Sequence, residues 1–267
     1  MELITSRRNP LVGRLRALHQ AKGRREQGLL LLEGTHLFEE MLRLALRPAQ
    51  VLATPAWMER HPALVASCRA PFHPVGEEVL AAVATTESPD GVVVTLPLSA
   101  LPVAAGQGAW VLALDQLQDP GNLGTLLRTA LAAGVDELWL GGGADPWQPK
   151  VLRASAGAAL ALPTRREPER QGLQDLLKGA RQAGHQVVAT LVDSPRSLPY
   201  WDLDWTRPTV LLLGNEGAGL HPDLADLATH CVTIPHSAAV ESLNVAVAAA
   251  PLLLERWRQQ QRTPQGA

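Results

Sequence analysis

The chain has 267 residues, 46% of them hydrophobic and 19% charged, which excludes disorder and fibrous repeats and predicts one large or two ordinary globular domains. Its formal net charge of −2 conceals an asymmetry: residues 1–25 hold seven basic residues against Glu2, a net of +6, and the remaining 17 basic and 25 acidic residues give −8. Apolar runs such as Val245 to Leu254, which contains Pro251, fall short of the ~20 residues of a membrane span.

The opening MELITSRRNP is charged and lacks an apolar core, so no secretory signal is expected and the chain is placed in the cytoplasm. Pro10, Leu11, Leu15 and Leu18 predict an amphipathic helix over 10–22. Its arginines face either solvent or a polyanion, since basic residues held against phosphates release counterions. LLLLE at 29–33 is a short apolar run between Gly28 and Gly34, as in a buried strand. Thr35 opens a helix to about Leu46; strands follow at 50–53 and 91–96, with a helix over 77–84 between them. This first α/β domain spans 1–97. A proline-bearing, uncharged linker covers 98–108, and a second domain covers 109–267.

The second half alternates apolar strands at 109–114, 137–140, 186–191, 209–213 and 231–234 with helices at about 121–133, 149–159, 172–183, 222–228 and 241–259. Strands without polar alternation are covered on both faces, the habit of parallel sheets in α/β folds. Three polar loops follow strand ends, DQLQDPGNLG, GNEGAGL and PHSAAVESLN, where open parallel sheets bind ligands. The chain has only four asparagines, and Asn122, Asn215 and Asn244 fall one in each loop. Asparagine is also an ordinary turn and cap residue, and Ser242 could simply cap the last helix. Neither a P-loop nor a dinucleotide fingerprint occurs. The missing GxSxG argues against a hydrolase built on Ser242, Glu216 and His236. Cys68 and Cys231 form no metal or disulfide framework, and no metal is expected.

DQLQDPGNLGTLLRTALAAGVDELWL, KVLRASAGAALALP, VLLLGNEGAGL and VTIPHSAAVESLNVAVAAA resemble, in order and spacing, the successive motifs of the SpoU-type RNA 2′-O-methyltransferases. The resemblance covers about residues 109–257. Residues 1–97, with SRRNP, LLLEG and TTESPDGVVV, are similar to the substrate-binding extension of ribosomal-RNA members. The resemblance implies an α/β fold: a small amino-terminal domain of the ribosomal-protein-L30e type, and a parallel-sheet domain with a deep carboxy-terminal trefoil knot. It implies a homodimer that uses S-adenosylmethionine to methylate RNA, with ribosomal RNA the expected substrate.

By the same resemblance Thr190, Gly214, Ile234 and Leu243 contact the donor, although Ile234 and Leu243 also suit core packing. Asn122, Arg128, Glu216, Ser242 and Asn244 form the catalytic set. Arg128 is the arginine assigned to the 2′-hydroxyl, and because a guanidinium has a pKa above ~12 its role is read as gripping phosphate and alkoxide. Glu216 orients Arg128 or Asn122. Arg7, Arg8, Arg14, Lys22, Arg24, Arg25 and Arg153 are the expected RNA contacts. His221, His236 and Ala239 depart from the family pattern, and Pro251 is expected to interrupt the last helix. The rivals are a transfer-RNA ribose methyltransferase, a nucleotide-binding enzyme of another class, and an RNA-binding protein without catalysis.

Overall fold

The computed structural model describes residues 2–191 and 197–262; the end of the expected second domain, 263–267, lies outside them. The chain divides into two compact units, Met1–Leu101 with Asp145–Ala161, and Pro102–Ala144 with Leu162–Ala267. In chain order the elements begin with α1 (Pro10–Ala17), α2 (Ala21–Gln27), β1 (Leu29–Glu33), α3 (Thr35–Arg43) and β2 (Gln50–Ala53). Next come α4 (Pro55–Arg60), α5 (Pro62–Ser67), β3 (Phe72–Pro74), α6 (Glu77–Val83) and β4 (Val92–Pro97). The second half runs β5 (Trp110–Asp115), α7 (Pro120–Ala132), β6 (Glu137–Gly141), α8 (Pro149–Ala154), α9 (Ala158–Ala161), β7 (Thr164–Glu167) and α10 (Arg170–Gln182). It closes with β8 (Gln186–Thr190), β9 (Ser197–Pro199), β10 (Thr209–Leu213), α11 (Pro222–Ala225), β11 (His230–Thr233) and α12 (Val245–Arg262).

In the first unit the sheet order is β1-β4-β2-β3, with β4 antiparallel to both neighbours and β2 parallel to β3. Leu11, Val12 and Leu15 of α1 pack with Val79, Leu80 and Val83 of α6 in its core. The expected helix 10–22 is two helices. The carbonyls of Leu18 and His19 leave the helical pattern to accept the Arg24 guanidinium at 2.7 and 2.9 Å. A Cβ on Gly23 would collide with the backbone of Ala17, so only glycine allows α2 to start so close to the end of α1.

Arg24 is 4% exposed and pairs with Asp145 at 2.5 Å. Glu33 accepts the N–H groups and hydroxyls of Thr85 and Thr86, and Arg153 lies 3.6 Å away. Burial pushes the Glu33 carboxyl up, but the Thr86 and Thr85 hydrogen bonds outweigh it and hold the group below the ordinary carboxylate range. These contacts fix Asp145–Ala161 within the first unit, a grouping that differs from the sequence division at 97 and 109.

In the second unit seven strands, all parallel, run in the order β7-β6-β5-β10-β8-β11-β9. β5, β6 and β10 are buried along their whole length, as their unbroken apolar runs predict. The polar β7 and the three-residue β9 at the two edges were not predicted. Glu137 accepts the N–H groups of Gly106, Gln107 and Gly108 at 2.9–3.1 Å, which fastens the end of the expected linker to the sheet. α12 packs on α7 and runs through Pro251 without a break. The ring costs it one backbone donor, and its far end is held independently. There the Arg256 guanidinium lies 5.1 Å from the centre of the Trp110 ring and donates to the carbonyls of Trp205 and Arg207 at 2.6 and 2.5 Å. No helix among the described residues is long and apolar enough to cross a membrane.

Removing one partner of a buried ion pair strands the other without compensation. Arg24→Met, which keeps the apolar stem, is therefore expected to cost about 3–5 kcal/mol of stability in urea denaturation. A loss below about 1 kcal/mol, the scale of an exposed pair, would show that the pair does not anchor Asp145–Ala161.

Candidate functional site

A cavity of about 520 Å³ opens at the carboxyl ends of β8, β10 and β11. Parallel strands that all point one way bring their following loops to one edge of the sheet, which is where such folds bind ligands. Every residue expected to contact the donor lines it: Thr190 at the end of β8, Gly214 after β10, and Ile234 and Leu243 after β11. Ile234 is half-buried and Leu243 exposed, so core packing does not explain either. Of the expected catalytic set, Asn122, Glu216, Ser242 and Asn244 also line the cavity, and Arg128 does not.

The loop after β10 closes on itself. Asn215 and Gly219 exchange backbone hydrogen bonds at 2.9 and 3.0 Å. The Asn215 side-chain oxygen takes the N–H groups of Gly217 and Ala218, and its amide donates to the Gln116 carbonyl at 2.8 Å. A Cβ on Gly214 would collide with the backbone of Gly219 and Leu220. The glycine thus serves the close approach of the chain to itself.

Glu216 projects from this loop and accepts the N–H groups of Gln118 and Asp119 at 3.1 and 3.0 Å and the Asn122 amide at 3.2 Å. Burial pushes its carboxyl up, but the backbone donors of Asp119 and Gln118 and the Asn122 amide outweigh that, and the group sits below the ordinary carboxylate range. Asn122 in turn accepts the Asn244 amide at 3.0 Å. The Asn244 oxygen receives the N–H groups of Ala246 and Val247 at 2.9 and 3.3 Å, so Asn244, not Ser242, caps α12. The cap of α7 is Asp119, which accepts the Asn122 N–H at 2.8 Å, so Asn122 lies in the first turn of the helix.

Arg128 is exposed on α7. Six residues beyond Asn122 it lies about 9 Å further along the axis and roughly 120° round it. Glu216 orients Asn122, and among the described residues no hydrogen bond or ion pair joins it to Arg128. The residues outside the family pattern have local partners. His236 lines the cavity and its Nδ1 donates to the Ile234 carbonyl at 2.7 Å, while His221 caps α11.

Arg8, Arg14 and Arg25 are exposed, as are Arg7, 3.4 Å from Glu78, and Lys22, 3.8 Å from Glu26. Arg24 is corrected: its guanidinium is buried on Asp145, Leu18 and His19 and offers nothing to RNA. Arg153 donates to Thr85 at 2.5 Å and lies 3.6 Å from Glu33, with 35% of its side chain still exposed. Glu241, which no sequence reading singles out although it directly precedes Ser242 in the last motif, also lines the cavity, as does Asn215. Among the described residues no group of three or more His, Cys, Asp or Glu is placed to hold a metal.

Two family profiles match the chain: the SpoU rRNA Methylase family over residues 109–254 and the MRM3-like substrate binding domain over 9–94. A Synechocystis protein described as an uncharacterised tRNA/rRNA methyltransferase is 46% identical over 96% of this chain and 94% of its own. The Bacillus subtilis 23S rRNA (guanosine(2553)-2′-O)-methyltransferase RlmP is 32% identical over 95% of this chain and 98% of its own. The crystal structure of an AdoMet-bound rRNA methyltransferase from Sinorhizobium meliloti superimposes with a TM-score of 0.83 at 33% identity, covering 97% of this chain and 98% of that one.

A carboxyl whose pKa is lowered by folding adds stability above its unfolded pKa and loses it as pH falls through the folded value. The difference in unfolding free energy between wild type and Glu216→Gln is therefore expected to be level near neutrality and to shrink on acidification below the ordinary carboxylate range. A difference independent of pH down to 3 would mean that the Glu216 charge does not brace the loop.

Proposed function

The chain belongs to the SpoU rRNA methylase family, and we propose that it transfers the methyl group of S-adenosylmethionine to a ribose 2′-hydroxyl of RNA, ribosomal RNA being the substrate. The observation that carries this reading is the cavity, walled by all four residues that the family motifs assign to the donor. The residues fit that ligand. The volume lies within the ~300–1,000 Å³ of small-molecule sites. The wall offers backbone groups at Gly214 and Ile234, and its charged side chains are the carboxylates of Glu216 and Glu241, with no lysine or arginine among the described lining residues.

S-adenosylmethionine bound there supplies an electrophilic methyl carbon on a cationic sulfur. The chain's part is to hold the 2′-oxygen in line with it and to stabilise the charge that develops on that oxygen. Ser242 and Asn244 are polar side chains that line the cavity, and Asn122 is held toward Asn244 by Glu216. Arg128 grips phosphate and stabilises the alkoxide, a use that suits a planar cation with five donors. The hydroxyl proton passes to water or to a neighbouring group.

Because Arg128 stands off the cavity of its own chain, it serves the cavity of a second copy. Leu131 on α7 and Val247, Leu254 and Trp257 on α12 are 37–62% exposed, and the three on α12 lie along one side of the helix. An exposed apolar stripe of this kind marks an interface, and the homodimer pairs these faces about a two-fold axis. Arg7, Arg8, Arg14, Lys22 and Arg25 hold phosphates, the last three within the part of the chain matched by the substrate-binding profile. The trefoil knot and residence in the cytoplasm belong to the same reading.

Full-length protein with labelled donor is expected to methylate a ribose in ribosomal RNA and to melt at a higher temperature with saturating donor. Arg128→Lys keeps the charge but loses the fork, so it is expected to retain more activity than Arg128→Ala, with the loss in kcat and not in donor affinity. Absence of both label and melting shift overturns the reading. An Arg128→Ala enzyme with wild-type turnover removes Arg128 from the site. In light scattering, wild type is expected at twice the chain mass and Leu254→Glu/Trp257→Glu at the mass of one chain; a monomeric wild type contradicts the dimer.

A further inference from the structure

The cavity walls carry an unbalanced charge. Glu216 and Glu241 are the acidic lining residues, His236 is the other titratable one, and among the described residues no lysine or arginine lines the cavity. The two carboxylates are differently placed. Glu216 is surrounded by the donors of Gln118, Asp119 and Asn122. Glu241 is exposed, and among the described residues no hydrogen bond or ion pair engages it. Its charge therefore faces whatever occupies the cavity without a protein partner to neutralise it.

This matters because the donor and the spent donor differ in little else than charge. S-adenosylmethionine at neutral pH carries a sulfonium, an ammonium and a carboxylate, a net of one positive charge. When the ribose oxygen bonds to the methyl carbon, the carbon–sulfur bond breaks and sulfur keeps the electron pair. The hydroxyl proton goes to solvent, and the remaining thioether is neutral overall. Adenine, ribose and amino-acid tail are unchanged, so contacts to them cannot tell the two molecules apart.

Resting on the donor reading above, we propose that Glu241, with Glu216 behind it, makes this cavity prefer the cationic methyl donor over the neutral demethylated product. Glu241 is thereby a specificity residue for the donor side of the reaction, favouring exchange of spent for fresh donor after each transfer. Because Glu241 is exposed, its effect is of the size of an exposed ion pair, roughly two- to fivefold in affinity, and salt screens it, since the Debye length falls from about 10 Å at 0.1 M to about 3 Å at 1 M.

Isothermal titration of the full-length protein with S-adenosylmethionine and, separately, with S-adenosylhomocysteine tests this at low and high salt, for wild type, Glu241→Gln and Glu241→Lys. The ratio of the two dissociation constants is expected to shift toward the product by roughly two- to fivefold in Glu241→Gln and further in Glu241→Lys. Both shifts are expected to diminish as salt is raised. Equal ratios in all three proteins, or shifts indifferent to salt, overturn the proposal while leaving the donor site standing. Failure of wild type to bind either compound overturns the donor reading and the proposal with it. Unchanged melting temperatures of the variants without ligand separate a charge effect from damage to the fold.

Discussion

An ionised carboxylate can only accept hydrogen bonds, and at Glu216 that one-sidedness sets the orientation of everything around it. Its oxygens take the Asn122 amide nitrogen, so the Asn122 oxygen must point the other way, where it receives the amide of Asn244. The Asn244 oxygen is then left to face the first N–H groups of α12. Two side-chain amides, each ambiguous in isolation, are thus fixed in series by one acceptor-only group. The same carboxylate satisfies the N–H groups of Gln118 and Asp119 ahead of α7, which would otherwise stand unpaired. Hydrogen bonds to a charged group contribute about 1.5–3 kcal/mol each. Three separate segments of the cavity wall consequently share a single electrostatic brace.

The sequence made the central strands legible because parallel strands covered on both faces must be apolar throughout. β5, β6 and β10 are long enough for that pattern to stand out. It fails at the edges. β7 reads TRRE with its two arginines exposed, and β9 has three residues ending in a proline; an edge strand is buried on fewer sides and loses the pattern that betrays a strand. The cavity was legible for a different reason. Its residues lie in loops at strand ends and in motifs whose order and spacing can be matched, so the positions that line it follow without a structure. The bonds between those loops cross about a hundred residues of sequence, and nothing local announces them. Asn122, in the first turn of a helix the sequence predicts, is for that reason also an unannounced bridge between Glu216 and Asn244.

Charge was the least legible property. Arg24 and Arg25 are adjacent in sequence and equally basic, yet one is buried and the other exposed. What separates them is Asp145, 121 positions away, together with the Leu18 and His19 carbonyls that the end of α1 leaves without helical donors. Arg153 shares its charge with Glu33 at 3.6 Å while remaining partly exposed, and the threonine donors that keep Glu33 ionised keep it a partner for a cation. A count of basic residues measures what a chain could offer to a polyanion; the distant carboxylates determine what it does offer.

The glycines between β6 and α8 show how such distant partners become fixed. Gly142 and Gly143 both adopt positive φ, and a Cβ on either would collide with Gln116 or Leu117. They let the turn after β6 lie against the loop after β5, where Ala144 donates to the Leu117 carbonyl at 2.7 Å. That loop is also the one whose N–H groups Glu216 accepts. A larger residue at 143 would have to displace the backbone of Gln116 and Leu117, and with it the donors at Gln118 and Asp119, whereas one at 142 meets only the Gln116 side chain. The turn after β6 therefore serves the cavity brace of the second unit, Gly143 through the backbone and Gly142 through the room it leaves for the Gln116 side chain.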